Sequence, residues 1–454
     1  MFDSVGKAIF DQELVSRSSD FTMGIEVEMH RIDENGRLSK EPYPNNLGDQ
    51  AENQFIKNDF VQTQLEVITP PIAHSVSAMN YLLALNNTLR NALQPTELLW
   101  PLSMPPVLPK DKTNISIAAT EPKKKKYLEA VAKRYGFTNG LPSGVHINLS
   151  IDQRIFDIVY PEVADRFKNR TEVVNAIYVK VAQQFMRYRW LLIYLFGASP
   201  IAEANYFSAD KAQPEHPVRS LRSSHYGFYY EFVGDYTSVA KYVQVITDAV
   251  ASDRLLSESE YHGSVRLKGT GKLADVPKKG VDYLELRMLD LDPTTSVGIR
   301  TETVRFIRIL MSYFMMSPGI ATGQVNKVMK KSAEMLETVA LEIPNEPTVY
   351  QAQAQEFLDQ LQLFGDQVQW GPEYQEVMDV MRDRLDNPEH TPAANLVGQM
   401  HNGSLTEYAL KMAQRYQKRA LRNIEPFNGF KQKPTLDESE LRRDLFKGNW
   451  EPRN

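Results

Sequence analysis

The sequence predicts an α+β fold in which short strands with alternating polar faces form a sheet and a largely helical C-terminal portion follows. Two observations point there. From about residue 20 to 290 strand-like runs of period two are interleaved with helical stretches, whereas from about 297 to 422 the apolar spacing is helical almost throughout. No linker rich in Gly, Pro or Ser divides the chain, and no internal period or low-complexity segment stands out. The expected organisation is one domain over residues 1–454. Its sheet region lies at about 20–318, its helices at about 319–425, and a polar, peripheral tail at 426–454.

Four runs read as half-buried strands: Met23–Met29, Val61–Ile68, Gly144–Ser150 and Tyr283–Leu289. Helices are expected at 75–95, 122–135, 171–195, 237–252, 297–316, 322–340, 347–364, 373–386 and 403–422. Within 297–316, Val304, Ile307, Leu310, Met311 and Phe314 fall on one helix face. Trp190–Phe196 is the most hydrophobic run, too short to span a bilayer, and reads as the buried side of a helix. Lys123–Lys126 reads as a solvated helix start, with an anion site as the alternative.

Composition narrows the partners. An apolar fraction of 42% and a charged fraction of 24% are those of a soluble globular protein. A net charge of −5 offers no general attraction for nucleic acid or an anionic membrane, so neither is expected as a partner. There is no cysteine, which excludes disulfides, thiolate metal sites and a cysteine nucleophile. The first residues lack the basic start and apolar core of a secretory signal, and a cytoplasmic location is expected.

The polar faces of the four strands carry the chemistry. Glu26 and Glu28 share one face of the first, with Ile25, Val27 and Met29 on the other. Two acids side by side repel and lose hydration, a cost that a divalent cation offsets; a solvated amphipathic strand is the alternative. In the second run Gln62, Gln64 and Glu66 share a face, and Asp59 must sit at the strand entrance to join them. The third run puts His146 beside Asn148, and the fourth puts Tyr283, Glu285 and Arg287 on one face. A Glu–Arg ion pair accounts for the last as well as a ligand beside a phosphate-binding guanidinium does. Together these runs predict a sheet curved around a wet, charged cavity. Oxygen ligands with a single imidazole favour Mg2+ or Mn2+ over zinc, and carboxylate-held magnesium usually accompanies a phosphate-bearing substrate. No GxxxxGK[ST] loop or GxGxxG fingerprint is present, so Arg222, Arg266, Lys268 and Arg287 are the candidates to meet phosphates.

The motifs occur in a particular order. Gly24-Ile25-Glu26-Val27-Glu28, Asp59-Phe60, Leu65-Glu66-Val67-Ile68-Thr69-Pro70, Trp100-Pro101-Leu102-Ser103-Met104-Pro105 and Arg134-Tyr135-Gly136 come first. Ser143-Gly144-Val145-His146, Tyr194-Leu195-Phe196-Gly197-Ala198-Ser199-Pro200, Ser220-Leu221-Arg222 and Tyr283-Leu284-Glu285-Leu286-Arg287-Met288-Leu289-Asp290 follow. In this the chain resembles bacterial glutamate–cysteine ligase (γ-glutamylcysteine synthetase), including the ligase half of the bifunctional glutathione-synthesising enzymes, over roughly residues 20 to 318. The resemblance implies a glutamine-synthetase-like fold, a curved antiparallel sheet forming a funnel covered by helices. It also implies ATP-dependent ligation of the glutamate γ-carboxylate to the amino group of L-cysteine through a γ-glutamyl phosphate, the first step of glutathione biosynthesis.

By motif, the resemblance implies Glu26, Glu28, Asp59, Glu66, His146 and Glu285 as metal ligands for Mg2+, with ATP as co-substrate. It implies Arg222 and Arg287, with Glu285, at the glutamate and the transferring phosphoryl group, and Arg266, Lys268 and Arg287 towards the nucleotide. Phe60, Tyr127, Tyr261 and Phe228 correspond to the acceptor pocket. The chain departs from the family pattern at Gly140, near which a Gln is expected, and at Phe228, where a Tyr is expected. Tyr226, Tyr229 or Tyr230 lies close enough to supply the lost hydroxyl. Both departures leave open a γ-glutamyl ligase acting on a different amine or amino acid. A hydrolase using the same metal ligands without nucleotide is the remoter alternative. The chain is too short to contain a second full ligase module.

Overall fold

The computed structural model describes residues 2–14, 21–50, 53–208, 211–227 and 232–423. Among these residues seven strands form an open sheet in which every ladder is antiparallel: β1 (Thr22–Asp33), β2 (Ile56–Asn58), β3 (Gln64–Ile68), β4 (Glu97–Leu99), β5 (Val145–Ser150), β6 (Val265–Lys268) and β7 (Tyr283–Leu289). The order is β2-β3-β1-β5-β7-β6, with β4 pairing the far end of β1. Thus β1, expected as seven residues, runs for 12 and serves three neighbours.

Alternation along each strand sorts the two faces. Ile25, Val27, Leu65, Val67, Ile147, Leu149, Leu284 and Leu286 are fully buried in one apolar core. Each contributes about 1.5–3 kcal/mol relative to exposure. The same core continues into the C-terminal helices through Phe314, Phe357 and Leu385. Its spine is α1 (Arg170–Phe196), capped by the Asn169 side chain accepting from the Glu172 amide at 3.0 Å. The run Trp190–Phe196 is buried on all sides. Against α1 pack α2 (Thr301–Met316) and α3 (Val325–Ala340), and α4 (Gln351–Val368) and α5 (Pro372–Asp386) close the outer layer. No helix among the described residues is long and apolar enough to cross a membrane.

Several boundaries differ from the sequence expectation, each for a local reason. The second strand begins at Gln64 and not Val61, because the Gln64 amide donates to Val61 O and the Asp59 amide to Gln64 O, turning residues 59–64 into a hairpin. The buried Arg31 holds that hairpin by donating to Gln62 O at 2.9 Å while pairing with Glu97 at 2.8 Å. The helix expected from 297 starts at Thr301, since Asp292 donates its amide to Gly298 O and Gly298 takes φ 75°, which breaks helical geometry. The tail beyond residue 423 and Phe228 lie outside the described residues.

Candidate active site

The opposite, polar face of the sheet floors a cavity of about 550 Å3. Register does the assembling. Glu28 stands across from Glu66, Glu26 from His146, Gly24 from Asn148, Asn148 from Glu285, and Glu285 from Arg266. Asp59 enters from the β2–β3 hairpin, as the sequence requires of it, and lines the same cavity.

Two sub-clusters result. In the first, ligand atoms of Glu26, Glu66 and His146 all lie within 4.8 Å of one another. His146 Nδ1 is 3.2 Å from Glu26 Oε2, Asn148 donates to Glu26 Oε1 at 2.7 Å, and the Gly144 amide donates to Glu28 Oε2 at 2.8 Å. His146 Nε2 is buried without a hydrogen-bond partner, 3.5 Å from Glu28. Burial opposes ionisation of Glu26, but His146 and Asn148 hold its pKa below the ordinary value. Burial, together with Glu26, Asp59 and Glu28, pushes Glu66 well above the carboxylate range. Burial and Glu28 raise Asp59 to about 6. A buried nest of acids short of positive charge, with an orphaned imidazole nitrogen, has the donor set that a hard divalent cation requires.

In the second, Glu285 is held by three cations. Arg287 pairs with it directly, Arg266 Nη1 lies at 3.3 Å and Lys268 Nζ at 3.1 Å. Burial opposes its ionisation, yet these cations hold its pKa well below the usual range. Arg287 also reaches His146 Nδ1 at 3.3 Å, so it bridges the two sub-clusters. Glu285, expected as a metal ligand, is thus engaged by cations here and stands apart from the three-residue cluster.

Arg222 is positioned by convergence of distant segments. Asp290 Oδ2 accepts from the Ala198 amide at 2.9 Å, Ser199 Oγ at 2.7 Å and Ser220 Oγ at 2.8 Å, tying three motifs to one carboxylate. Arg222, 3.8 Å from Asp290, then donates to Arg287 O at 3.1 Å and Leu289 O at 3.3 Å and lines the cavity. Phe60, Tyr127 and Tyr261 line it as well. The Tyr261 hydroxyl lies 2.9 Å from that of Tyr236. The departure at Gly140 has a spatial meaning, because a Cβ there would stand 2.6 Å from the Phe60 ring. Tyr226, one candidate for the missing hydroxyl, packs against Phe207 instead and does not line the cavity; Tyr229 and Tyr230 lie outside the described residues.

Sequence reading passed over two cations on the cavity wall, Lys124 and Arg189. Lys124 belongs to the run taken as solvated; it donates to Asn58 O at 3.3 Å and faces Asp59, opposing the rise in that acid's pKa. It lies three positions before Tyr127 on one helix, Pro122–Tyr135. For Arg189 the signal was an ionisable residue amid a buried helical run.

A family model described as glutamate-cysteine ligase matches residues 7–255 and 247–335. The glutathione biosynthesis bifunctional protein GshAB of Lactiplantibacillus plantarum is 34% identical over 426 residues, covering 94% of this chain and 55% of the relative. That of Enterococcus faecalis is 33% identical over 93% of this chain and 55% of its own length. The chain therefore spans about half the length of the curated relatives it matches. Among solved structures, a bifunctional glutathione synthetase from Pasteurella multocida superposes with a TM-score of 0.83 at 29% identity, over 91% of this chain and 55% of that one. A glutamate–cysteine ligase from Francisella tularensis, in complex with AMP, superposes with a TM-score of 0.80 at 22% identity, over 94% and 93%, and shows the shared fold.

Proposed function

The chain belongs to the glutamate–cysteine ligase family, and from that premise we propose that it joins the γ-carboxylate of L-glutamate to the amino group of L-cysteine with cleavage of ATP to ADP, the first step of glutathione biosynthesis. The observation that carries this reading is the meeting of acid and basic sub-clusters at Arg287, which lines the cavity beside His146 and pairs with Glu285.

A carboxylate is a poor electrophile. Transfer of the γ-phosphoryl group to a glutamate γ-oxygen, with the phosphorus–oxygen bond to ADP breaking, makes phosphate the leaving group. The acceptor nitrogen then bonds to the acyl carbon, and the carbon–oxygen bond to phosphate breaks. In this scheme Glu26, Glu66 and His146, with Glu28 and Asp59 beside them, hold the divalent cation. Magnesium suits their oxygen-rich set, and manganese shares the preference. When bound, that cation supplies positive charge against the ATP phosphates.

The chain's own residues do the rest. Arg287, kept protonated by Glu285 and Glu28 against the cost of its burial, faces the phosphoryl group in flight. Arg266 and Lys268 flank it towards the nucleotide, and Glu285 orients all three. Arg222, anchored on Asp290, holds glutamate, and Phe60 and Tyr127 wall the acceptor.

The test is ADP release with Mg2+ and glutamate across acceptor amino acids. Release that depends on both glutamate and cysteine is expected. Its absence with every amine overturns the ligase reading, and release with other amino acids but not cysteine replaces the acceptor alone.

A further inference from the structure

Among the described residues, one cation in the cavity has no acid to answer it. Arg189, on α1, is only 9% exposed. Its Nη1 donates to Ser264 Oγ at 3.2 Å and lies 3.8 Å from Met186 Sδ, and its Nε is buried with no hydrogen-bond partner. Burial pulls its pKa down. The neighbours that oppose this are the hydroxyls of Tyr236 and Tyr261, and no carboxylate among the described residues does so. The other guanidiniums of the cavity differ: Arg287 and Arg266 share Glu285, and Arg222 has Asp290. A buried guanidinium left with one hydroxyl and a thioether is under-satisfied, and its planar fork of donors matches a carboxylate.

Its place identifies which carboxylate. Ser264 O accepts from the Arg287 amide at 2.9 Å, so the Arg189–Ser264 pair stands one strand away from the centre of phosphoryl transfer. It lies on the Tyr261 side of the cavity, where Phe232 packs edge-on against Tyr261 at 5.5 Å. Glutamate is already provided for by Arg222. Resting on the ligase reading above, we propose that Arg189 and Ser264 form a carboxylate subsite that holds the α-carboxylate of the acceptor, making the preferred acceptor an α-amino acid and not a simple amine.

The experiment compares ADP release for L-cysteine against cysteamine, and for L-2-aminobutyrate against propylamine, at saturating glutamate and ATP. The wild type, Arg189→Lys and Arg189→Met are assayed side by side. The wild type should favour the carboxylated acceptors roughly 10- to 100-fold in kcat/KM, the range of a charge-assisted hydrogen bond. Arg189→Met should lose that preference through acceptor KM, leaving rates with the simple amines and KM for glutamate and ATP unchanged; Arg189→Lys should recover part of it. An undiminished preference in Arg189→Met, or a rise in glutamate KM instead, overturns the proposal. Should Arg189→Met be inactive with both classes, Arg189→Lys decides. A raised acceptor KM with an unaltered amine rate upholds the subsite, and an unaltered acceptor KM overturns it. If the wild type releases no ADP at all, the ligase reading fails, and calorimetry decides the subsite separately. L-2-Aminobutyrate heats lost in Arg189→Met uphold it, and heats absent from the wild type or equal in both proteins overturn it.

Discussion

Gly144 and Arg222 occupy one another's space: a Cβ on Gly144 would stand 2.0 Å from Arg222 Nη2. Glycine is required there for close approach of a guanidinium, not for an unusual backbone. Gly144→Ala should displace Arg222 and raise the glutamate KM roughly tenfold or more, as expected for loss of a charged hydrogen bond. Steady-state kinetics with cysteine and ATP saturating checks this. An unchanged glutamate KM with native circular dichroism would remove Arg222 from the glutamate site.

The acid nest predicts opposite signs for function and for metal-free stability. Glu66 is buried among Glu26, Asp59 and Glu28, and its raised pKa reports their repulsion. Glu66→Gln should abolish turnover and the thermal shift produced by added Mg2+. Yet in chelator its melting temperature should equal or exceed that of the wild type. Differential scanning calorimetry with and without Mg2+ reads both. A wild-type Mg2+ shift in the variant would show that Glu66 is not a ligand.

Lys124 and Lys125 are sequence neighbours on one helix, but only the first lines the cavity, and Lys125 is exposed. Lys124→Met should lower kcat/KM roughly tenfold, the worth of one charged contact, while Lys125→Met leaves it unchanged. Equal effects from the two would return the whole run to the solvated reading.

His30 predicts a pH dependence of stability. It is buried behind the site, with Nε2 donating to Leu141 O at 2.8 Å and Nδ1 accepting from Thr63 Oγ1 at 3.1 Å, an arrangement suited to the neutral ring. Burial lowers its pKa to about 4, against an ordinary value of 6.5. Between those values the unfolded chain binds more protons than the folded one. The stabilisation is therefore complete above pH 6.5 and drains as pH falls towards 4, by up to about 3 kcal/mol. Urea unfolding in chelator at pH 7 and pH 4.5 should show a smaller loss for His30→Gln than for the wild type. Parallel losses would refute the assignment.

What the sequence made legible follows from periodicity. Glu26 and Glu28 on one face, with Ile25 and Val27 on the other, needed only a period of two, and Asp59 at a strand entrance followed from its odd separation from Glu66. Three features were out of reach. β2, β4 and β6 have three or four residues each and carry too little pattern to read. Lys124 belongs to the cavity only because its helix packs over the β2–β3 hairpin, a tertiary fact. And the exchange of a side chain at Gly140 for the Phe60 ring is a relation between residues far apart in sequence.

The strand order β2-β3-β1-β5-β7-β6 has a consequence for how the protein is made. Glu26, Glu28, Asp59, Glu66 and His146 all leave the ribosome before β6 and β7, which bring Arg266, Lys268 and Arg287. Until those two strands dock beside β5, the growing chain carries its acids with Lys124, Arg189 and Arg222 as the described cations of the cavity wall yet synthesised. Dehydrating them at that stage is unfavourable, so the half-built sheet stays hydrated and its final closure waits on the last strands. Vectorial synthesis thus delivers Glu26, Glu28, Asp59, Glu66 and His146 before Arg266, Lys268 and Arg287.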